Sequence, residues 1–171
     1  MLSRLPASTN IFNMMAHAES CLKPVMKVGG TLLGKLKLDP LLRELCLLHA
    51  VNLVGGEYEW VQHDPIARDL GASDAQMAAL RIKNDCADCF SPAEQAALQF
   101  TREVVLDVRA SQAALASART HFSDREIVEL IILSGFYTML ARLTETLGVE
   151  NDPPMGSALV KGIAARVKNS G

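Results

Sequence analysis

One short apolar stretch of this chain, ELCLLHAVNLVGGEYEWVQH, carries three glutamates and two histidines, and three of these groups, Glu44, Glu59 and His63, have types and spacing that could do chemistry. Glu59 and His63 are four residues apart, so on a helix they stand one above the other on a single face. Imidazole titrates near neutrality, and a neighbouring carboxylate can orient it and fix its tautomer, which is the equipment of general acid/base chemistry. Glu44 lies in LLRELCLLHAVNLV, a segment apolar nearly all round. Helices of that kind are buried, and a buried carboxylate needs a partner or a shifted pKa. A plainer reading stands beside the catalytic one. Glu59 and His63 could be an ordinary pair on a solvated helix, and Glu44 could be paired structurally with Arg43 or Arg142.

The elements that must position these groups are helical. Asp39 can cap a helix whose first residue is Pro40, and that helix should run to Val54, where Gly55-Gly56 breaks it. The next spans Glu57 to Leu70 and stops at Gly71. Pro65 either kinks it or divides it after His63. Three capping boxes follow, Ser73/Gln76, Ser91/Glu94 and Ser123/Glu126. They open helices to about Ile82, to about Arg109 and, in the longest, to a stop at Gly148. SQAALASARTHF makes a further short helix. Upstream, residues 1–10 read as an extended arm. IFNMMAHAESCLKPVMKVGGTLL gives one or two helices, with Pro24 starting the second or kinking a single one. The fold class is therefore all-α, about seven to eight helices, with one domain over residues 1–155 and a peripheral C-terminal helix or tail over 156–171.

Composition narrows the function. With 171 residues, 49% of them hydrophobic, and a net charge of −2, the chain can bury a real core and is no polyanion binder. Lys and Arg form no basic stripe, which argues against nucleic acid. No apolar run is long enough and free enough of charge to suggest a membrane span. MLSRLPASTNIF lacks the apolar core of a secretory signal, so a cytoplasmic location is expected. Four cysteines, Cys21, Cys46, Cys86 and Cys89, are then reduced thiols. Cys86-Ala-Asp-Cys89 could be a redox pair or half a zinc site, but matching ligands are missing, so an incidental pair is expected. No metal or other cofactor is expected. Arg142 and Tyr137 lie on the long apolar helix. Arg142 could clasp a substrate carboxylate with two parallel hydrogen bonds, and Tyr137 is a core or pocket residue. Tyr58 and Trp60 should pack or line a subunit contact.

The pattern around His63 resembles the carboxymuconolactone decarboxylase and alkyl hydroperoxidase D (AhpD-like) superfamily. Its antioxidant branch carries E-x11-C-x2-C-x3-H. With the histidine placed on His63, the glutamate falls on Glu44, while the two cysteines fall on Gly56 and Glu59. The acid and the imidazole keep their places and both thiols are gone. The decarboxylase branch carries E-x3-H, which Glu59 to His63 matches. The resemblance implies a helical homo-oligomer, a trimer or hexamer, with its pocket near a subunit interface. It also implies a cofactor-independent acid/base enzyme acting on a small organic acid or lactone, with His63, Glu59 and Glu44 catalytic. Two other functions stay open: an AhpD-like thiol antioxidant working through Cys86/Cys89 or Cys46, and a non-catalytic oligomeric binding protein.

Overall fold

The computed structural model describes residues 9–156, and among these residues every regular element is a helix. In chain order they are α1 (Asn10–Met15), α2 (Glu19–Gly34), α3 (Pro40–Val54), α4 (Glu57–Asp69), α5 (Asp74–Arg81), α6 (Pro92–Asp107), α7 (Gln112–Arg119) and α8 (Asp124–Leu147). The expected arm lies outside the described residues up to position 8, and its last residue, Asn10, already belongs to α1. The C-terminal helix or tail expected over 156–171 lies outside them from position 157 onward.

The central element is α3. The Asp39 side chain accepts from the backbone N–H groups of Leu41 and Leu42, and Pro40 fills the first helical position, where no N–H is needed. From Leu42 to Val51 every residue is buried, because α8, α4, α6 and α5 all pack around it. Gly55 closes α3 in the left-handed region at φ 81°, a conformation that costs a residue without a Cβ little.

All three capping boxes form as the spacing predicts, with the serine side chain and the third-residue side chain each bonding the other's backbone N–H. Pro24 does not mark the boundary it suggested, whereas Pro65 takes one of the two alternatives it left open, a helix that runs on through it. The break between α1 and α2 falls at Ala16–Ala18, and Pro24 lies inside α2. Likewise α4 continues through Pro65. Val61, whose carbonyl loses its donor to that proline, is only half-buried, so solvent can take the freed oxygen.

Among the described residues α8 alone has the length and hydropathy of a membrane span, yet 56% of its apolar window is buried inside the fold. It also carries Glu129, which accepts from the backbone N–H groups of Lys37 and Leu38 at 2.8 and 3.1 Å and so ties the α2–α3 turn to the core. α8 is a core helix.

Candidate functional site

α3 brings Glu44 and α4 brings His63 to the same point. The Glu44 side chain is fully buried. Its Oε2 lies 2.7 Å from His63 Nδ1. Its Oε1 accepts from Arg43 Nε at 3.0 Å and Nη2 at 2.8 Å. The remaining Arg43 nitrogen, Nη1, donates to the carbonyl of Leu33 at 2.7 Å, so the guanidinium is held at both ends. Burial alone pushes the Glu44 carboxyl up, but the charges and hydrogen bonds of His63 and Arg43 outweigh it, and the net direction is down. An ionised Glu44 accepts from the imidazole, which puts the proton on Nδ1 and leaves Nε2 as the basic nitrogen. The ring also meets Tyr137 edge to face, with centroids 5.0 Å apart.

Glu59 sits one turn before His63 on α4 and is 2% exposed. Its carboxylate oxygens lie 3.2 and 3.3 Å from the Thr144 hydroxyl on α8. That hydroxyl is also within reach of the carbonyls of Leu140 and Ala141, and it has a single proton to give. Glu59 therefore lacks the compensation Glu44 enjoys. Burial pushes its carboxyl up to about 7, against weaker lowering by its own backbone, Thr144 and His63. Two glutamates fifteen residues apart thus differ in protonation because one has Arg43 and the other has a shared hydroxyl.

A cavity of about 110 Å³ opens beside this cluster. Its wall is almost wholly apolar, formed by Ile11, Phe12 and Met15 of α1, Val25, Met26 and Leu33 of α2, and Phe136 and Leu140 of α8. Thr9, Gly29, Gly30, Tyr58 and Met155 also line it, and Glu59, Gln62, His63 and Tyr137 bring the cluster's polar groups to it. Gln62 donates to the carbonyl of Asp152 at 2.8 Å, and Tyr58 donates to the Asp152 carboxylate at 2.6 Å, so the turn after α8 closes over one end.

The structure brings Glu44, Glu59, His63 and Tyr137 together. It does not bring Arg142 to them. Arg142 is exposed, donates to the carbonyl of Thr138 on its own helix at 2.9 Å, and stands outside the cavity wall. The guanidinium that meets Glu44 is Arg43, the other partner its burial suggested. Tyr58 and Trp60 pack as expected, both being buried, with the Arg81 guanidinium 4.1 Å from the centre of the Trp60 ring. Gln62 and Thr144 gave no sign of themselves in the sequence. Thr144 could have been found only by noticing that it repeats Tyr137 at seven residues, on the inward side of α8.

Gly56 explains why no thiol stands at the first of the two positions. A Cβ built there meets the Ala141 Cβ at 2.6 Å and Glu59 Oε2 at 3.1 Å. Position 56 has closed against α8, and Glu59 fills the second position with a carboxyl. The cysteines the chain does have lie elsewhere. Cys46 is buried on α3, and burial pushes its thiol up to about 12. Cys86 and Cys89 lie in the loop before α6, both as free thiols. Burial and the Asp85 carboxylate, 3.4 Å from its sulfur, raise Cys86 rather than activate it. Among the described residues no three His, Cys, Asp or Glu side chains cluster as metal ligands.

Residues 21–103 match the model of the carboxymuconolactone decarboxylase family. Over that stretch the chain matches the family that the pattern around His63 resembles, and its fold is AhpD-like. Solved structures of the same fold come from bacteria. A candidate antioxidant defence protein AhpD of unknown function from Agrobacterium tumefaciens superposes with a TM-score of 0.75 at 20% identity, covering 82% of this chain and 96% of its own. An uncharacterized peroxidase-related protein with an alkylhydroperoxidase AhpD core, from Ralstonia eutropha, gives 0.74 at 20% identity over 84% and 76%. Another uncharacterized peroxidase-related protein, from a Silicibacter species, gives 0.76 at 19% over 88% and 80%. No curated protein matches the chain in sequence. Against the antioxidant motif that the sequence resembles, Glu44 and His63 stand where that motif has its glutamate and histidine, and Gly56 and Glu59 stand where it has thiols.

Proposed function

We propose that the protein is a cofactor-independent acid/base enzyme that moves protons next to the carbonyl of a small carbonyl compound or lactone. The observation that carries this reading is the Glu44–His63 contact of 2.7 Å beside a carboxyl whose pKa is raised to about 7, both facing one apolar cavity. In this reading His63 Nε2 takes the proton from carbon, and Glu44 stabilises the imidazolium that results. Glu59, in its neutral form, gives a proton to the carbonyl oxygen. Decarboxylation belongs to the same class. A β-keto acid or vinylogous lactone supplies its own electron sink: with His63 entering protonated, the C–C pair left by carbon dioxide becomes the C=C bond of an enol as Glu59 protonates the carbonyl oxygen, the imidazolium then protonates carbon, the hydroxyl proton returns to Glu59, and solvent restores the proton on His63.

The homo-oligomer, a trimer or hexamer by family resemblance, is part of the proposal. It is supported by an exposed apolar stripe on α8, Val128, Ile131, Ile132 and Met139, which a second copy of the chain can cover. Reduced, unpaired thiols fit a cytoplasmic protein. The test sets wild type beside His63→Gln and Cys86→Ser/Cys89→Ser. Each is assayed for carbon–hydrogen exchange in deuterium oxide, for carbon dioxide release, and for thiol-dependent peroxide reduction. Exchange or carbon dioxide release that disappears only in His63→Gln supports the reading. Peroxide turnover lost only in the double cysteine variant would sink it. Full biological activity of His63→Gln would instead favour a binding protein that has kept the fold without the chemistry.

A further inference from the structure

We infer that the cavity takes an uncharged carbonyl compound, a ketone, aldehyde or lactone about the size of a five- or six-membered ring, and discriminates against carboxylates. The inference rests on the acid/base reading of the site and narrows its substrate. Size comes first. An apolar protein cavity of about 150 Å³ holds a benzene molecule, and this one is about 110 Å³.

Charge decides the rest. Arg43 and Arg142, the two arginines that the sequence offered as carboxylate partners, both point their hydrogen bonds elsewhere. Arg43 spends Nε and Nη2 on Glu44 and Nη1 on the Leu33 carbonyl, and it is not part of the wall. Arg142 donates to Thr138 and is likewise outside it. Among the described residues the wall includes no lysine or arginine. Its charge-bearing members are Glu59 and His63, with the Glu44 carboxylate directly behind the imidazole. A carboxylate entering this space gives up its water, finds an apolar surface, and meets negative charge behind His63.

An uncharged occupant has no carboxylate to lose, so the reaction narrows to proton transfer. The proton on the carbon next to the carbonyl goes to His63 Nε2. The electron pair of that C–H bond becomes the C=C bond of an enol, the π pair of the carbonyl becomes a new O–H bond, and the proton for it comes from the Glu59 carboxylic acid. Reprotonation at carbon by the imidazolium, with return of the hydroxyl proton to Glu59, restores the site. No electron donor or acceptor is consumed.

The test compares uncharged and anionic molecules of similar shape: isobutyramide with isobutyrate, and cyclopentanone with cyclobutanecarboxylate. Binding is measured at about pH 8, above the Glu59 titration near 7, where that carboxylate adds its charge to the wall. Calorimetry gives the affinities, and the ring nitrogen resonances of His63 report occupation of this cavity. The uncharged member of each pair is expected to bind at least about tenfold tighter. A carboxylate that binds equally or more tightly overturns the inference, and so does a cavity that takes neither member. The same preference is expected in His63→Gln, because it comes from the wall and from Glu44. The wild-type titration stands by itself if that variant does not fold. A preference that survives in a wild type showing no proton exchange at carbon sinks the catalytic reading and leaves the ligand class standing.

Discussion

Replacing Glu59 with glutamine should make the protein's stability less dependent on pH in one particular window. The wild-type carboxyl is 2% exposed and titrates near 7 in the folded chain against 4.5 for an ordinary glutamate. At 1.36 kcal/mol per pKa unit, that difference is about 3 kcal/mol. The sign follows from proton binding. Between pH 4.5 and about 7 the folded chain holds a proton that the unfolded chain has lost. The neutral carboxyl therefore contributes stability that is fully present below pH 4.5 and is lost as the pH rises through about 7. Glutamine keeps the shape and cannot ionise. Urea unfolding of both proteins across this range should show the variant gaining on wild type by about 3 kcal/mol between the acid and the alkaline plateau. Most other titrations are common to both proteins and cancel in the difference. A difference that stays flat to within about 1 kcal/mol would refute the reasoning, because it would mean that Glu59 ionises in the fold as readily as in the unfolded chain. If the proposed roles hold, activity should fall on the alkaline side of the same pKa, as Glu59 loses the proton it donates.

Gly56→Cys tests whether the antioxidant thiol position has been closed. Its Cβ lands 2.6 Å from the Ala141 Cβ, so the variant should lose about 1–3 kcal/mol through overpacking, and Ala141→Gly should couple favourably with it by about 1 kcal/mol or more in a double-mutant cycle of unfolding free energies. Glu44→Gln leaves the Arg43 guanidinium buried without its countercharge. A loss of about 3–5 kcal/mol in denaturant unfolding is expected, together with loss of activity. Ile132→Glu places a charge in the middle of the exposed α8 stripe and should dissociate the proposed oligomer, read by light scattering on a sizing column, while leaving helicity unchanged; a wild type that runs as a monomer would refute that assembly.

The parts of this fold that could be read from the sequence are those set by local chemistry. Asp39-Pro40, the three capping boxes and Gly148 all mark their helix ends within a residue or two, since each satisfies backbone groups from within its own turn. The prolines were harder because their cost depends on whether solvent reaches the freed carbonyl, which is a tertiary matter. Arg142 shows the same limit. α8 is apolar on its outer face as well as its inner one, so hydrophobic pattern alone could not say which face looked into the core. The outer stripe runs through Val128, Ile131, Ile132 and Met139 and carries Arg142 on to solvent. The inner stripe runs through Tyr137, Ala141 and Thr144 and reaches Glu59 and His63. Glu44, Glu59 and His63 were legible because helical spacing and an all-apolar segment bear on burial directly. Arg43 was named as one of two partners, and only the geometry could choose.

That choice sets what the site can do. Arg43 and Glu44 are adjacent in sequence, yet both side chains turn to the same buried point, and the guanidinium is anchored beyond it on the Leu33 carbonyl. The carboxylate behind His63 is thereby kept ionised, and the imidazole beside it keeps Nε2 as its basic nitrogen. Glu59 receives no such cation and stays near the point of losing its proton. A carboxyl raised to about 7 and an imidazole held by an ionised carboxylate then face the same apolar space, which is an arrangement suited to proton transfer in both directions. A thiol at position 59 would take the place of the raised carboxyl, and a thiol at 56 would need the space Ala141 occupies. The closure at position 56 and the raised Glu59 carboxyl both go with the packing of α4 on α8. If so, an active site of this kind should gain no thiol chemistry from a Glu59→Cys substitution alone, and a low-pKa thiol appearing in that variant, titrated with a chromogenic disulfide, would argue that the α4–α8 contact is not what separates the two chemistries.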